Sequence, residues 1–219
     1  MRKGVVGVLA LAGALVFALA EYSRLPGRVP VHWNAHFRPD GYASRASSLI
    51  LPVVMLVALP VLAYVLPRID PHHANYAKHE RTYWIIWDAI MVMIAGLEVL
   101  VVGAALGWNV HMSVGLPLLL GLLFIVMGNV MGRVRPNWFL GIRTPWTLSS
   151  DEVWRKTHRL GSRTMMGAGV VLVVAAFVPY DWTKTAGLIV AIGLAAFVPL
   201  VYSYLEWRRL GRPERALGT

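Results

Sequence analysis

Cysteine is absent from the 219 residues, which excludes disulfides, thiolate catalysis and cysteine-based metal sites. Charge is scarce as well. Only 15% of residues are charged, against about 25% in soluble domains. Acidic side chains are the rarer sign, 11 Asp and Glu against 21 Lys and Arg. There is no HExxH pattern, no phosphate-binding glycine loop and no nucleophile placed beside its base, so no cofactor is expected and no enzyme class is indicated. What is present is apolar: 57% of the chain is hydrophobic, with a mean hydropathy of +0.58. This composition is that of a polytopic membrane protein whose first partner is the lipid bilayer. The net charge of +10 fits the excess of Lys and Arg in loops on one membrane side, and no direct nucleic-acid partner is expected.

Six apolar runs succeed one another, about Gly4 to Ala20, Ser48 to Leu66, Trp84 to Leu106, Ser113 to Met131, Thr164 to Val178 and Thr185 to Tyr204. The expected fold is all-α: a bundle of six transmembrane helices plus a short cytoplasmic interfacial helix. Residues 1–20, with Met1-Arg2-Lys3 before the apolar run and Ala18-Leu19-Ala20 at its end, also match a cleavable secretory signal, and the loop topology of the remaining chain is the same either way. Counting Lys and Arg on alternate sides gives 16 against 5. Both termini and the long basic loop are therefore expected in the cytoplasm. The chain divides into 1–66, two spans with an ordered outer loop; 67–112, a histidine-bearing loop and the third span; 113–207, the last three spans with the basic loop 132–163; and the basic tail 208–219.

The outer loop, Leu25 to Arg45, carries Pro26, Pro30 and Pro39 with Gly27 and Gly41, and Pro39-Asp40-Gly41 reads as a turn. His32, His36 and Asp40 recur every four residues, a metal-ligand set if the segment were helical. Pro39 works against that geometry. The competing expectation is structural, with His32 and Asn34 pairing loop backbone groups while Trp33 and Tyr42 sit at the interface; recognition of an external ligand is the third.

His72, His73 and His79 lie in a segment, Arg68 to Trp84, that reads as a solvated or headgroup-facing loop. Two carboxylates, Asp88 and Glu98, fall within the third span, where either would be expensive facing lipid. Ten residues separate them, about 15 Å along a helix, so they are not a paired acid/base site. Asp88 is expected near the cytoplasmic end, within reach of water or a basic loop. Glu98 is a candidate proton or cation site, or else a protonated group bonded to a neighbouring helix.

The basic loop is the longest polar interval, and Gly128 to Arg163 holds seven Lys and Arg and three Trp. Arg133, Arg135 and Pro136 close the fourth span, and Asn137-Trp138-Phe139-Leu140 forms an aromatic patch. Pro145 then forces an extended Thr144. Ser149 and Glu152 have capping-box spacing. They predict a short surface helix to about Leu160, stopped by Gly161, with Val153, Trp154, Thr157 and Leu160 on one face and Arg155, Lys156 and Arg159 elsewhere.

The stretch GNVMGRVRPNWFLGIRTPWTLSSDEVWRKTHRLGSR resembles the signature segment of the SdpI family of bacterial membrane proteins. The outer stretch LPGRVPVHWNAHFRPDGYASR resembles the domain of unknown function that accompanies it there. The resemblance singles out Pro30, His32, Asn34, Asp40, Gly41 and Tyr42 outside. Inside it singles out Asn129, Gly132, Asn137, Gly141, Arg143, Thr144, Pro145, Trp146, Trp154, Thr157 and His158. Phe37 stands where the family usually has glycine, Arg45 where it often has lysine, and His72-His73 is not a family feature. The resemblance implies protection against a secreted peptide toxin and, in the founding system, signalling through capture of a cytoplasmic repressor at the membrane. Two other classes stay open: a metal-dependent membrane enzyme using His32, His36 and Asp40, and a small transporter or channel using Glu98.

Overall fold

A computed structural model of the chain describes residues 3–211. Its helices are α1 (Val5–Ala20), α2 (Arg45–Ser48), α3 (Ile50–Ile69), α4 (Glu80–Ala105), α5 (Met112–Met131), α6 (Pro145–Leu148), α7 (Asp151–Phe177), α8 (Asp181–Ile192) and α9 (Val198–Leu210). A π-turn over Gly193–Phe197 makes α8 and α9 continuous. The fold is helical but for one feature. β1 (Arg28–Trp33) and β2 (Pro39–Ser44) pair antiparallel as a two-stranded hairpin, the regular form taken by the turn-rich outer loop. Alternation and prolines at the strand edges suit a hairpin better than a helix of period 3.6.

Five segments are long and apolar enough to cross a membrane: Arg45–Ile69, His73–Ala105, Met112–Met131, Asp151–Phe177 and Trp182–Leu210. The expected sixth, α1, has 16 residues, only about 24 Å of helix. It lies against α4, where Leu11 and Ala14 join Met91 and Ala95 in one core cluster. Its start is held by Asp88, whose Oδ1 accepts the Gly7 N–H at 2.8 Å. The carboxylate of α4 thus serves an orphan donor at the positive end of α1.

The tightest seam is between α5 and α7. A Cβ on Gly121 would lie 2.8 Å from the Gly169 carbonyl oxygen, and one on Gly169 would lie 2.6 Å from that of Gly121. These helices meet backbone to backbone, the use to which small residues are put where no hydrophobic force separates helix from lipid. Ser162 strengthens the seam by donating to the Gly128 carbonyl.

Pro67, inside α3, removes the N–H that would bond the Ala63 carbonyl. Tyr83 of α4 donates its hydroxyl to that carbonyl at 2.7 Å, so the break in one span is closed by a side chain from the next.

The elements sort into two ends. Gly4, the starts of α4 and α7 and the ends of α3, α5 and α9 share the basic end, where Lys3 meets Glu80 at 2.6 Å. The hairpin and the opposite helix termini form the other, and Thr185 at the start of α8 donates to the Ala35 carbonyl of the hairpin turn at 2.9 Å.

Candidate functional site

The hairpin end is built around a turn. Asn34 Oδ1 accepts the N–H groups of His36 and Arg38 at 2.9 and 3.1 Å, and Phe37 takes φ 57°. That is the left-handed region, which glycine enters freely and a phenylalanine enters at a cost of about 1 kcal/mol or more. The strands carry His32 opposite Gly41 at an irregularity of the ladder. A Cβ on Gly41 would stand 2.7 Å from the His32 Cβ, so the histidine uses the space that glycine leaves. His32 Nδ1 lies 2.5 Å from Asp40 Oδ1, with both side chains largely exposed. Tyr42 is exposed and lies beneath the Arg28 guanidinium, 5.2 Å from ring centre to Cζ.

The helical His32/His36/Asp40 set does not form. His36 sits in the turn, and among the described residues no three His, Asp or Glu side chains gather as metal ligands. Beside the turn a cavity of about 360 Å³ runs between the hairpin and the α4–α5 connection, with Trp33, His36 and Phe37 on one wall and Trp108 and His111 on the other.

The basic end is a folded cap. Asn137, 1% exposed, accepts from Phe139 and Leu140 N–H at 3.0 and 2.6 Å and donates to the carbonyls of Arg135 and Leu140, each at 2.9 Å. Asp70, equally buried, accepts the Trp138 N–H at 2.8 Å and the Tyr76 hydroxyl at 2.7 Å. Asn75 donates to the Pro136 carbonyl at 2.8 Å. The segment after α3 is therefore tied to the cap through Asp70, Asn75 and Tyr76, although most of its other residues are exposed as expected. Its His73–His79 stretch is a 3₁₀ helix that buries Tyr76 and His79, while His72 and His73 stay exposed. Asp70, Asn75 and Tyr76 have one local signal, the turn-initiating Asp70-Pro71 pair; their partners in the cap lie more than 60 residues away.

Thr144 caps α6 in a reciprocal box with Thr147, the two N–H···Oγ1 distances being 2.8 and 3.1 Å. Pro145 occupies the first helical turn, where its missing N–H costs nothing. From this turn the Thr144 hydroxyl meets Ser203 at 3.2 Å and Trp146 packs on Tyr204 at 5.1 Å between ring centres. Lys156 of α7 bridges Glu152 and Glu206 at 2.9 and 3.0 Å. All three contacts fix α9 to the cap. Arg143 donates to the Trp138 carbonyl and, like Trp138, remains exposed.

The predicted separate interfacial helix is replaced by the first turns of α7, which runs unbroken through Gly161. The N-cap is Ser150, not Ser149, accepting from Val153 N–H at 3.4 Å. Gly161 is there for packing: a Cβ would stand 2.3 Å from Ile142 Cδ1. Twenty-seven residues span about 40 Å, more than a hydrocarbon core of about 30 Å. Its strongly basic residues, from Arg155 to Arg163, place these first turns outside the core. The buried face of Val153, Trp154, Thr157 and His158 meets protein rather than lipid.

Trp154 donates Nε1–H to the Val134 carbonyl at 2.9 Å and stacks on His158 with ring centres 4.0 Å apart. The tautomer of His158 follows from its neighbours. Nδ1 faces the Trp154 carbonyl at 2.9 Å and so carries the proton, while Nε2 accepts the Ile142 N–H at 3.0 Å. The imidazole is neutral, and burial pushes its pKa down to about 4. Gly141, at φ 114°, leaves the room; a Cβ there would lie 2.3 Å from His158 Nε2. Thr157 Oγ1 is buried with no partner among the described residues.

The intramembrane candidates do not join either end's network. Glu98 is half-buried with no hydrogen bond or ion pair among the described residues, so the expected bond to a neighbouring helix is not formed. Asn129 is exposed, on the wall of a groove with Arg81 and Arg133.

Comparison with known proteins divides the chain at the same two ends. Residues 133–203 match the SdpI/YfhL protein family and residues 9–56 match the Domain of unknown function (DUF1648). The chain is 24% identical over 211 residues to the immunity protein SdpI of Bacillus subtilis (strain 168), covering 96% of this chain and 98% of that one. An uncharacterized protein of Archaeoglobus fulgidus is 27% identical over 96 residues, 36% of this chain and 52% of that protein. No solved structure matches the chain.

Proposed function

Since this multi-pass membrane protein carries an SdpI-family region behind a DUF1648 domain, we propose that it is a non-enzymatic immunity protein that protects its cell from a secreted, membrane-active peptide toxin. The observation that carries this is the end-to-end correspondence with the immunity protein SdpI, 96% of one chain on 98% of the other. Both motif-bearing ends are included. The geometry offers a place for the encounter: His32, Asp40 and Tyr42 are exposed on an ordered hairpin beside an aromatic-walled cavity. The excess of Lys and Arg at the opposite end orients that end, with both termini, toward the cytoplasm.

Expression in a toxin-sensitive bacterium tests this. Survival should rise with the intact protein and fall back with His32→Ala/Asp40→Asn at equal membrane abundance. Unchanged survival with the intact protein in the membrane would sink the reading for that toxin. A second role, holding a cytoplasmic repressor, is favoured by one observation: Trp138 and Arg143 are exposed yet fixed on the buried Asp70–Asn137 network. Co-purification of such a repressor only from toxin-treated cells, lost with Trp138→Ala, tests it.

A further inference from the structure

Several cations of the basic end have an assigned task. Lys3 pairs with Glu80, Lys156 with Glu152 and Glu206, Arg209 with Glu206, and Arg143 with a backbone carbonyl. Arg81 and Arg133, like Arg135, Arg155, Arg159 and Arg163, have no such partner among the described residues, and these two share the wall of one groove. Both are exposed. They stand on the first turn of α4 and just past the end of α5, at the level where the bundle leaves the hydrocarbon.

The two arginines share a groove of about 520 Å³ between α4, α5 and α7. Below them its wall is apolar, with Ile85 one turn into α4, Ile125 about two turns back along α5, and Met166 from α7; Asn129 lies between the two zones. Toward the outside, a second cavity of about 370 Å³ continues past the same two arginines to Lys78 and His79. Glu80, the one carboxylate on its wall, is already paired with Lys3.

Charge above, an amide in the middle and apolar surface beneath is the order of groups along a phospholipid. We propose that this groove is a binding site for one anionic phospholipid of the leaflet at the basic end, its phosphate between Arg81 and Arg133, its glycerol region beside Asn129 and an acyl chain along Ile85, Ile125 and Met166. A guanidinium pair matches phosphate oxygens in charge and donor geometry, and basic pockets between helices at this level hold anionic head groups. A free phosphate would need only the arginines. The apolar lower half assigns the lipid. The site is independent of what the hairpin end meets.

The test uses the full-length protein in mild detergent, studied by native mass spectrometry with phosphatidylglycerol, with phosphatidylcholine of the same acyl chains, and with inorganic phosphate as competitor. One phosphatidylglycerol should be retained per chain, preferred about 10- to 30-fold over phosphatidylcholine, the scale set by two basic residues at an anionic surface. Arg81→Gln/Arg133→Gln should bring the preference to about one, while Arg155→Gln, which removes a cation outside the groove, should leave it intact. Ile125→Trp, which keeps both arginines and fills the apolar part, should lower retention of both lipids; it reports on the groove even if the double variant fails to fold. Equal retention of the two lipids by the wild type overturns the proposal, as does equal loss with Arg155→Gln. Displacement of the lipid by millimolar phosphate would make the site a phosphate site and overturn the lipid assignment.

Discussion

Two asparagines do the same job at opposite ends of this molecule. Asn34 Oδ1 accepts the N–H groups two and four residues on, and Asn137 Oδ1 accepts those two and three residues on. Around Asn34 the groups are exposed, and water can replace any bond that is lost. Around Asn137, itself buried, they are largely shielded within the cap, and the side chain's amide hydrogens are committed too. The chemistry around Asn137 is spent on holding its own backbone, whereas that of the hairpin end, His32 and Asp40 above all, is turned outward. Damage to the first should read as lost fold, and damage to the second as lost contact with a ligand.

The largest expected effect comes from the buried asparagine. Asn137→Ala leaves the Phe139 and Leu140 N–H groups without their acceptor, at about 1–3 kcal/mol for each buried group, so thermal unfolding in detergent should shift down by many degrees. Asn34→Ala should cost about 1 kcal/mol or less, because water substitutes. Comparable shifts for the two variants would break the contrast between the ends.

Next comes His158. Its free imidazole titrates at about 6.5, and in the folded cap burial holds the pKa down to about 4. Between those values the unfolded chain binds the proton and the folded one refuses it, so stability rises with pH. The contribution is complete above about 6.5 and is lost as pH falls toward 4. A melting temperature measured from pH 7 to 4 should drop over that window, and His158→Gln should start lower and flatten the drop. A slope that survives the substitution unchanged would place the pH sensitivity elsewhere.

The outcome of reading the chain as sequence divides along related lines. Long apolar runs are local and directional, so five spans and the sorting of basic residues to one end are legible from composition alone. The start of α7 is legible to within one residue, Ser150 for Ser149, because a capping side chain acts over three positions. What escapes is anything decided by a distant partner. Gly161 has the local signature of a helix stop, but the Ile142 side chain needs the space beside it, and α7 continues. Asp70 looks like a loop carboxylate until Trp138, 68 residues on, supplies its N–H. The hairpin is a third case, since ligand-like spacing at His32, His36 and Asp40 says nothing about period until the turn at Asn34 is known.

Phe37 gives a smaller and opposite effect. Its φ of 57° is one that glycine adopts without penalty, so Phe37→Gly should relieve about 1 kcal/mol of local strain, offset in part by the greater freedom of glycine when unfolded. The gain should appear as slower amide exchange of the hairpin, not as a higher melting temperature of the bundle. If exchange quickens instead, the ring's place on the cavity wall beside Trp33 outweighs the backbone strain.

The smallest effect on stability belongs to the residues expected to matter most for function. His32 and Asp40 are close, but their side chains are 70% and 45% exposed, and surface pairs of this kind contribute about 1 kcal/mol at most. His32→Ala should therefore leave the melting temperature almost unmoved while lowering survival under toxin challenge. The two readouts together decide between meanings of the hairpin. Protection lost with stability kept marks a contact surface; both kept would mean that the toxin meets the cavity near Trp108 without this pair. Both lost would show that the hairpin is as much a part of the fold as the cap around Asn137, and the distinction between the two ends would collapse.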